Sequence, residues 1–243
     1  MNFASEQAYI PQRVIQEQGG WQSHLNKTKE YIVSAIKQNN PKTVRILGSG
    51  WLFDVPLDFL LEQCDSIVLC DILHPSQITH KYSGNNKIKF ETTDLTFGAV
   101  ELAYNLKRNE VFSVYFNNAL KNITPINYNE DLVISLNLLS QLSAFITDYL
   151  VKKQKTSYSQ LSDITTIIQQ NHLNSLPKGK SILITDYEEE YLDENGLLAG
   201  TKPTVYIDIP RSAGTKFWDW QFDTQMTYKE DCKTNLKVIA TTI

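Results

Sequence analysis

The residues best equipped for chemistry fall where four strand-like runs stop. Gly48 and Gly50 close Val44-Arg45-Ile46-Leu47, Asp71 closes Ser66-Ile67-Val68-Leu69-Cys70, Asp94 follows Lys87-Ile88-Lys89-Phe90-Glu91, and Asn137 closes the run from Asp131 to Leu136. Glycine tolerates a positive φ and lets backbone approach a ligand closely, so Leu47-Gly48-Ser49-Gly50-Trp51 reads as a turn that can cradle one. Asp71 follows Gly50 by 21 residues, the interval at which dinucleotide-binding folds place a carboxylate for ribose hydroxyls. Such charge-assisted bonds are among the stronger kind. The competing reading of Asp71 is a cap on Ile72-Leu73-His74-Pro75. Asp94 is placed to meet the exocyclic amine of an adenine, with Leu95 against the ring. Its competing reading is a turn former within Thr92-Thr93-Asp94-Leu95-Thr96.

What the turn excludes is as informative. The nicotinamide fingerprint Gly-x-Gly-x-x-Gly holds a pyrophosphate at a helix N-terminus. Here Phe53 stands at the third glycine position and Asp54 beside it. An anion at that contact would repel a phosphate, whereas a sulfonium carrying an ammonium meets no such repulsion. No Gly-Lys-Ser/Thr follows the turn, so phosphate cradling of the Walker type is absent.

The elements that must position these residues read as strands separated by helical stretches, which calls for a parallel sheet with crossover helices. Continuous apolar strands fit a sheet covered on both faces. Trp21, Leu25, Thr28, Ile32 and Ile36 predict a helix ending before Asn40-Pro41, preceded by a polar arm or short helix up to about Gly20. A helix is expected to open near Asp54-Val55-Pro56, with Asp54 as N-cap. Another follows the Asn137 strand through about Lys153, with Asn137 itself as a possible cap. Ser181 to Asp186 is a fifth strand. Val205 to Asp208, Phe217 to Phe222 and Leu236 to Thr241 are three further strand-like runs, the last two forming an antiparallel hairpin at one edge. Residues 1–243 are expected to form one domain, with 1–40 as arm and leading helix.

Composition narrows the class. With 23 basic against 27 acidic side chains, no basic stripe points to nucleic acid; Lys152-Lys153-Gln154-Lys155 and Lys178-Gly179-Lys180 read as solvated ends. Cys64, Cys70 and Cys232 suggest neither disulfides nor a zinc knuckle, and His24, His74, His80 and His172 have no ligand spacing. The start Met1 to Glu6 lacks a signal-peptide pattern, and no apolar run approaches the ~20 residues of a membrane span. A cytoplasmic protein acting on a small molecule is the expectation.

Three weaker candidates concern a substrate. Asp186 to Tyr191 is the densest charge run: a rim or lid, with Tyr187 pointing inward, or simply a solvated loop. Trp218, Trp220 and Phe222 share one face of a strand, as core or as a substrate wall with Trp218 in it. Arg211 can clamp a carboxylate or phosphate, or lie exposed.

Ile46-Leu47-Gly48-Ser49-Gly50, Val68-Leu69-Cys70-Asp71, Thr93-Asp94-Leu95 and Ile134-Ser135-Leu136-Asn137-Leu138-Leu139 resemble, in order and spacing, motifs I to IV of the class I S-adenosylmethionine-dependent methyltransferases. The resemblance covers roughly residues 20–243. It implies a Rossmann-like three-layer α/β sandwich whose mostly parallel seven-stranded sheet has an antiparallel last strand. It implies S-adenosylmethionine as cofactor, with Gly48, Ser49, Gly50 and Trp51 beside its amino-acid moiety. Asp71 and Ile72 would sit at the ribose, Asp94 and Leu95 at the adenine, and Asn137 nearby. Ile46 stands where the family often has an acid and Leu52 where it has a third glycine, so the ammonium partner would be Asp54, or the contact would be absent. Many amino-methyltransferases continue Asn137's position with two prolines; Leu138-Leu139 stand here, which does not support a nucleobase-nitrogen substrate. A methyltransferase-like module that binds without catalysis, and a nucleotide-binding oxidoreductase, are the alternatives.

Overall fold

The computed structural model describes residues 3–17, 19–106, 112–124, 126–154 and 158–243. The parallel part of the sheet is built from β1 (Thr43–Leu47), β2 (Ser66–Asp71), β3 (Ile88–Thr92), β4 (Leu132–Leu136) and β5 (Ser181–Leu192). β6 (Leu198–Pro203), β7 (Lys216–Asp223) and β8 (Lys233–Thr242) complete it. The order is β3-β2-β1-β4-β5-β8-β7, with β6 paired to β5 off this path. β8, the last strand, runs antiparallel to both neighbours. The strand order therefore reverses at β1, between β2 and β4, where an open α/β sheet forms a crevice beyond its carboxyl ends.

Alternation along each strand divides the core between the two faces. Ile46, Leu69, Ile134 and Ile184 point into one buried cluster with residues of α2 (Gln22–Asn39) and α3 (Leu57–Gln63). Leu47, Val68, Val133 and Leu183 point into the other, with residues of α5 (Ala99–Asn105), α7 (Ala144–Gln154) and α8 (Tyr158–Ser175). This is a three-layer, Rossmann-like sandwich. α2 begins and ends as its periodicity predicts, closing on Asn40 in the left-handed region with φ 45°, a conformation asparagine tolerates better than most residues. The polar arm before it is a helix, α1 (Phe3–Gln16). Of the basic cluster at 152–155, Lys155 lies outside the described residues.

Four expectations need correction. The sheet has an eighth strand, β6, which its Gly200 and Pro203 disguise; Pro is acceptable there because the strand lies at an edge. Val205 to Asp208 form no strand. Their alternate apolar residues Val205 and Ile207 pack on the helical layer instead, and the Gln169 side chain takes their backbone bonds, accepting from Tyr206 N at 2.8 Å and donating to Thr204 O at 2.8 Å. The charge run from Asp186 to Tyr191 is not a loop but the continuation of β5, bulged at Tyr187. Three of its four acids have partners: Asp186 accepts from Ser140 Oγ at 2.6 Å, Lys237 Nζ lies 3.0 Å from Glu190, and buried Glu189 accepts from the Tyr191 and Tyr228 hydroxyls. Finally, neither Asp54 nor Asn137 caps a helix. α3 begins at Leu57 after Pro56, and α7 begins at Ala144, which leaves both polar side chains free for other partners.

Candidate active site

Beyond the carboxyl ends of β1, β2, β4 and β7 lies a cleft of about 990 Å³. Its lining includes every residue assigned above to a cofactor: Gly48, Ser49, Gly50 and Trp51, Asp54, Asp71 and Ile72, Asp94 and Leu95, and Asn137.

The turn after β1 is held by backbone geometry. Gly48 (φ 83°) and Gly50 (φ 44°) both occupy the left-handed region. A Cβ on Gly48 would lie 2.8 Å from Leu136 O, so this glycine lets β4 pass. A Cβ on Gly50 would meet only Asp71 Oδ2, at 3.9 Å, so this glycine leaves space in the cleft. Asp71 ties the turn to β2, its Oδ2 accepting from Gly50 N at 2.8 Å and its Oδ1 from Leu73 N at 3.4 Å. The capping role and exposure to the cleft thus coexist in one carboxylate. Burial raises its pKa, against the lowering effect of the Gly50 and Leu73 amides. Asp94 forms the turn that its surroundings suggest: Oδ1 accepts from Thr96 N (2.9 Å) and Thr96 Oγ1 (2.6 Å), and Oδ2 from Gly98 N (3.1 Å). Its Oδ2, with a single bond, keeps accepting capacity.

Asp54 and Asn137 belong to a relay that runs from the cleft to the buried His24 and Trp218. Asn137 Nδ2 donates to Asp54 Oδ2 at 2.7 Å and lies 3.2 Å from His24 Nε2, while Trp218 Nε1 donates to His24 Nδ1 at 3.1 Å. Burial, then Lys27, lowers the His24 pKa to about 3, so the ring is neutral. Its Nδ1 accepts, and its single proton therefore sits on Nε2, facing the Asn137 carboxamide. A half-turn of the amide exchanges its nitrogen and oxygen and gives that proton an acceptor. The same oxygen then faces Asp54, whose carboxyl must be protonated to donate to it. Desolvation raises the Asp54 pKa, in the same direction.

Several buried polar atoms on the cleft lining have no partner: Gln7 Oε1, Ser49 Oγ, the Asn137 carboxamide atom turned away from His24, and Trp220 Nε1. Buried polar groups are normally satisfied, and a cluster of them on one cleft is what a ligand would complete.

Tyr187, Arg211 and Trp218 do not line the cleft. The bulge in β5 turns Tyr187 against Phe217, and Arg211 lies over the same ring, 5.4 Å from its centroid. Trp218 is buried behind His24. The strand face that carries it does reach the cleft one step later, through Trp220 and Phe222. Residues of α1 went unnoticed as lining. Gln7, Ile10 and Arg13 face the cleft, and Trp51 Nε1 donates to Gln7 O at 2.7 Å. The only sequence signal for this was the helical spacing of Gln7, Ile10 and Arg13 within a polar segment.

No protein-family model matches the chain, and no curated protein matches it. Among solved structures it is similar to the N-methyltransferase NodS from Bradyrhizobium japonicum WM9 in complex with S-adenosyl-L-homocysteine. Identity is 13%, over 89% of this chain and 86% of that one, with a TM-score of 0.38. It is also similar to a DhpI–SAH complex (10% identity, 98% and 95% covered, TM-score 0.40). A third is an S-adenosylmethionine-dependent methyltransferase, described as such only provisionally, from Listeria monocytogenes (12%, 93% and 99%, TM-score 0.36). Likeness at this level says nothing about function, which rests on the cleft's own residues. The chain's own sheet order inserts the last strand antiparallel between the fifth strand and its neighbour, as the motif resemblance leads one to expect.

Proposed function

We propose that the chain is an S-adenosylmethionine-dependent methyltransferase acting on a small molecule. One observation carries this reading: Asp54, Asp71 and Asp94 reach the same cleft around the Gly48-Ser49-Gly50 turn, and no cation accompanies them at that end among the described residues. A pyrophosphate there would face three carboxyl groups. A nucleoside bearing an ammonium and a sulfonium, and no phosphate, complements them, with Asp54 giving up its proton as the ammonium arrives.

The residues present fit such a ligand. Asp71 would accept from ribose hydroxyls, Asp94 Oδ2 from the adenine amine, and Leu95 would pack on the base. Ser49 Oγ and the Asn137 carboxamide, both unpartnered in part, would meet the amino-acid moiety beside Asp54. Held by these residues, such a cofactor would supply an electrophilic methyl group for an acceptor lone pair, with S-adenosylhomocysteine as the leaving group. The chain's contribution is orientation and exclusion of water, which can supply most of the rate in such a displacement. His24 is not a poised base, because both ring nitrogens face partners and burial keeps it neutral. That observation favours one second reading, a module of the same fold that binds the cofactor without turnover.

Calorimetry with S-adenosylmethionine, S-adenosylhomocysteine and NAD tests the assignment. Binding of the first two and not of NAD is expected, and Asp71→Ala should weaken it roughly 10- to 100-fold, the worth of hydrogen bonds to a charged group. Preference for NAD would overturn the reading. Release of labelled methyl into small molecules of a cell extract separates the enzyme from the silent module.

A further inference from the structure

The cleft has a second end of different chemistry. Trp21, Trp220, Phe222 and Tyr228 form an aromatic wall: Trp21 stacks on Phe222 (5.6 Å between centroids), Trp220 meets Trp21 edge-on (4.9 Å), and Phe222 meets Tyr228 edge-on (5.1 Å). The strand order places this wall, on β7, at the edge opposite β3 and Asp94. At about 990 Å³ the cleft is at the upper end of the range for small-ligand pockets, with room for a second molecule beside a cofactor.

Over that wall lies Arg13 of α1, its Cζ 4.5 Å from the Phe222 centroid and 5.3 Å from that of Tyr228. Arg13 is the one arginine or lysine on the cleft lining among the described residues, the other charged lining groups being Asp54, Asp71, Asp94 and Asp148. It has no carboxylate partner among the described residues. Both nearby acids are already engaged: Glu17 Oε2 accepts from Thr224 N and Oγ1 (2.8 Å each), and Asp223 accepts from Thr227 Oγ1 (3.0 Å) and Tyr228 N (2.7 Å). A guanidinium held over aromatic rings by its cationic charge, with no carboxylate on its N–H groups, can offer them to a planar anion. The buried Trp220 Nε1, also without a partner, is a further unmatched donor in the same wall.

His24 stacks on Trp220 (3.9 Å between centroids) and Trp21 on Phe222, so the wall meets the cleft through the edge of Phe222 and the exposed Tyr228. From this we infer that the acceptor is a flat aromatic acid, its ring against Phe222 and Tyr228 and its anionic group on the Arg13 fork. The inference rests on the methyltransferase reading for the word acceptor. The subsite itself stands on Arg13 and the wall. Carboxylate and phosphate ester share the required chemistry, and the guanidinium suits either.

The test uses the full chain, tryptophan fluorescence and calorimetry, with and without saturating S-adenosylhomocysteine. The probes are 4-hydroxybenzoate, phenyl phosphate, benzamide and benzylamine. At least one of the two anions should bind tenfold or more tighter than benzamide and benzylamine, and which one does separates carboxylate from phosphate. Arg13→Met should weaken the anion at least tenfold and leave benzamide unchanged, with Arg13→Lys between, because it keeps charge and loses the fork. S-Adenosylhomocysteine affinity, unchanged in both variants, reports that they are folded. Equal affinity for all four probes, or an Arg13→Met variant that binds the anion as before, overturns the inference while leaving cofactor binding intact. Failure of S-adenosylhomocysteine to bind, with Arg13-dependent anion binding retained, removes the methyltransferase reading and leaves the subsite.

Discussion

Gly48 and Gly50, two residues apart, answer to different constraints. At Gly48 a side chain would collide with Leu136 O and adopt a left-handed φ as well. Gly48→Ala should therefore cost about 2–3 kcal/mol in a urea melt, as strained and overpacked sites do. At Gly50 there is room, so Gly50→Ala should cost about 1 kcal/mol, and its larger effect should be weaker S-adenosylhomocysteine binding, since the new methyl enters the cleft. Equal stability losses would show that the two glycines are not divided in this way. Asp54 makes a sharper prediction. Burial raises its native pKa, and only the ionised carboxylate attracts an ammonium. Affinity for S-adenosylmethionine should thus rise as pH rises through that pKa and then level off, with a proton released on binding. Calorimetry in two buffers of different ionisation enthalpy reads this release, and Asp54→Asn should abolish both the pH dependence and the proton.

At the scale of elements, α1 is attached to the site by Trp51 Nε1 donating to Gln7 O. Trp51→Phe removes that bond and keeps most of the ring, so hydrogen exchange along residues 7–16 should quicken while the sheet strands stay protected. Unchanged exchange would mean that packing alone holds the helix. What could be read from the sequence follows from the same geometry. β1, β2, β4 and the start of β5 are largely buried on both faces and announce themselves as mostly apolar runs. The far half of β5 does not, because Glu188, Glu189 and Glu190 look like a solvated loop until Lys237, Tyr191 and Tyr228 are brought beside them by β8 and the segment before it. Most cofactor-side candidates could be picked out because they lie at or just past the end of a strand; Asp54, seven residues beyond β1, stood out by its charge beside the glycine turn. Arg13 did not, since nothing local says that a polar helix folds over an aromatic strand face more than 200 residues away.

For the whole molecule, acid should act through buried histidines. His172, fully buried with Nε2 2.8 Å from Ser135 Oγ, has its pKa lowered to about 4 by burial, and that of His24 falls to about 3. Between about pH 6.5 and 4 the unfolded chain protonates a histidine that the native state keeps neutral. Each therefore removes about 1.4 kcal/mol of stability per pH unit as pH falls. Asp54, Asp71 and Asp186, with raised pKa values, oppose this trend, since the native state holds their protons longer as pH rises above about 3.8. Comparing His172→Gln with the parent isolates one contribution. The variant's stability should fall less steeply with acid, by about that slope, and parallel curves would contradict it. The prolonged β5 has a separate, practical consequence. Its hairpin with β6 turns at Asp193 to Gly196, where Asp193 Oδ1 accepts from Asn195 N and Leu197 N, and the tip is exposed. Neither the tip nor β6 contributes to the cleft lining, so a dye or an affinity tag grafted there would ride on a self-bonded spur and report on ligand traffic without touching it.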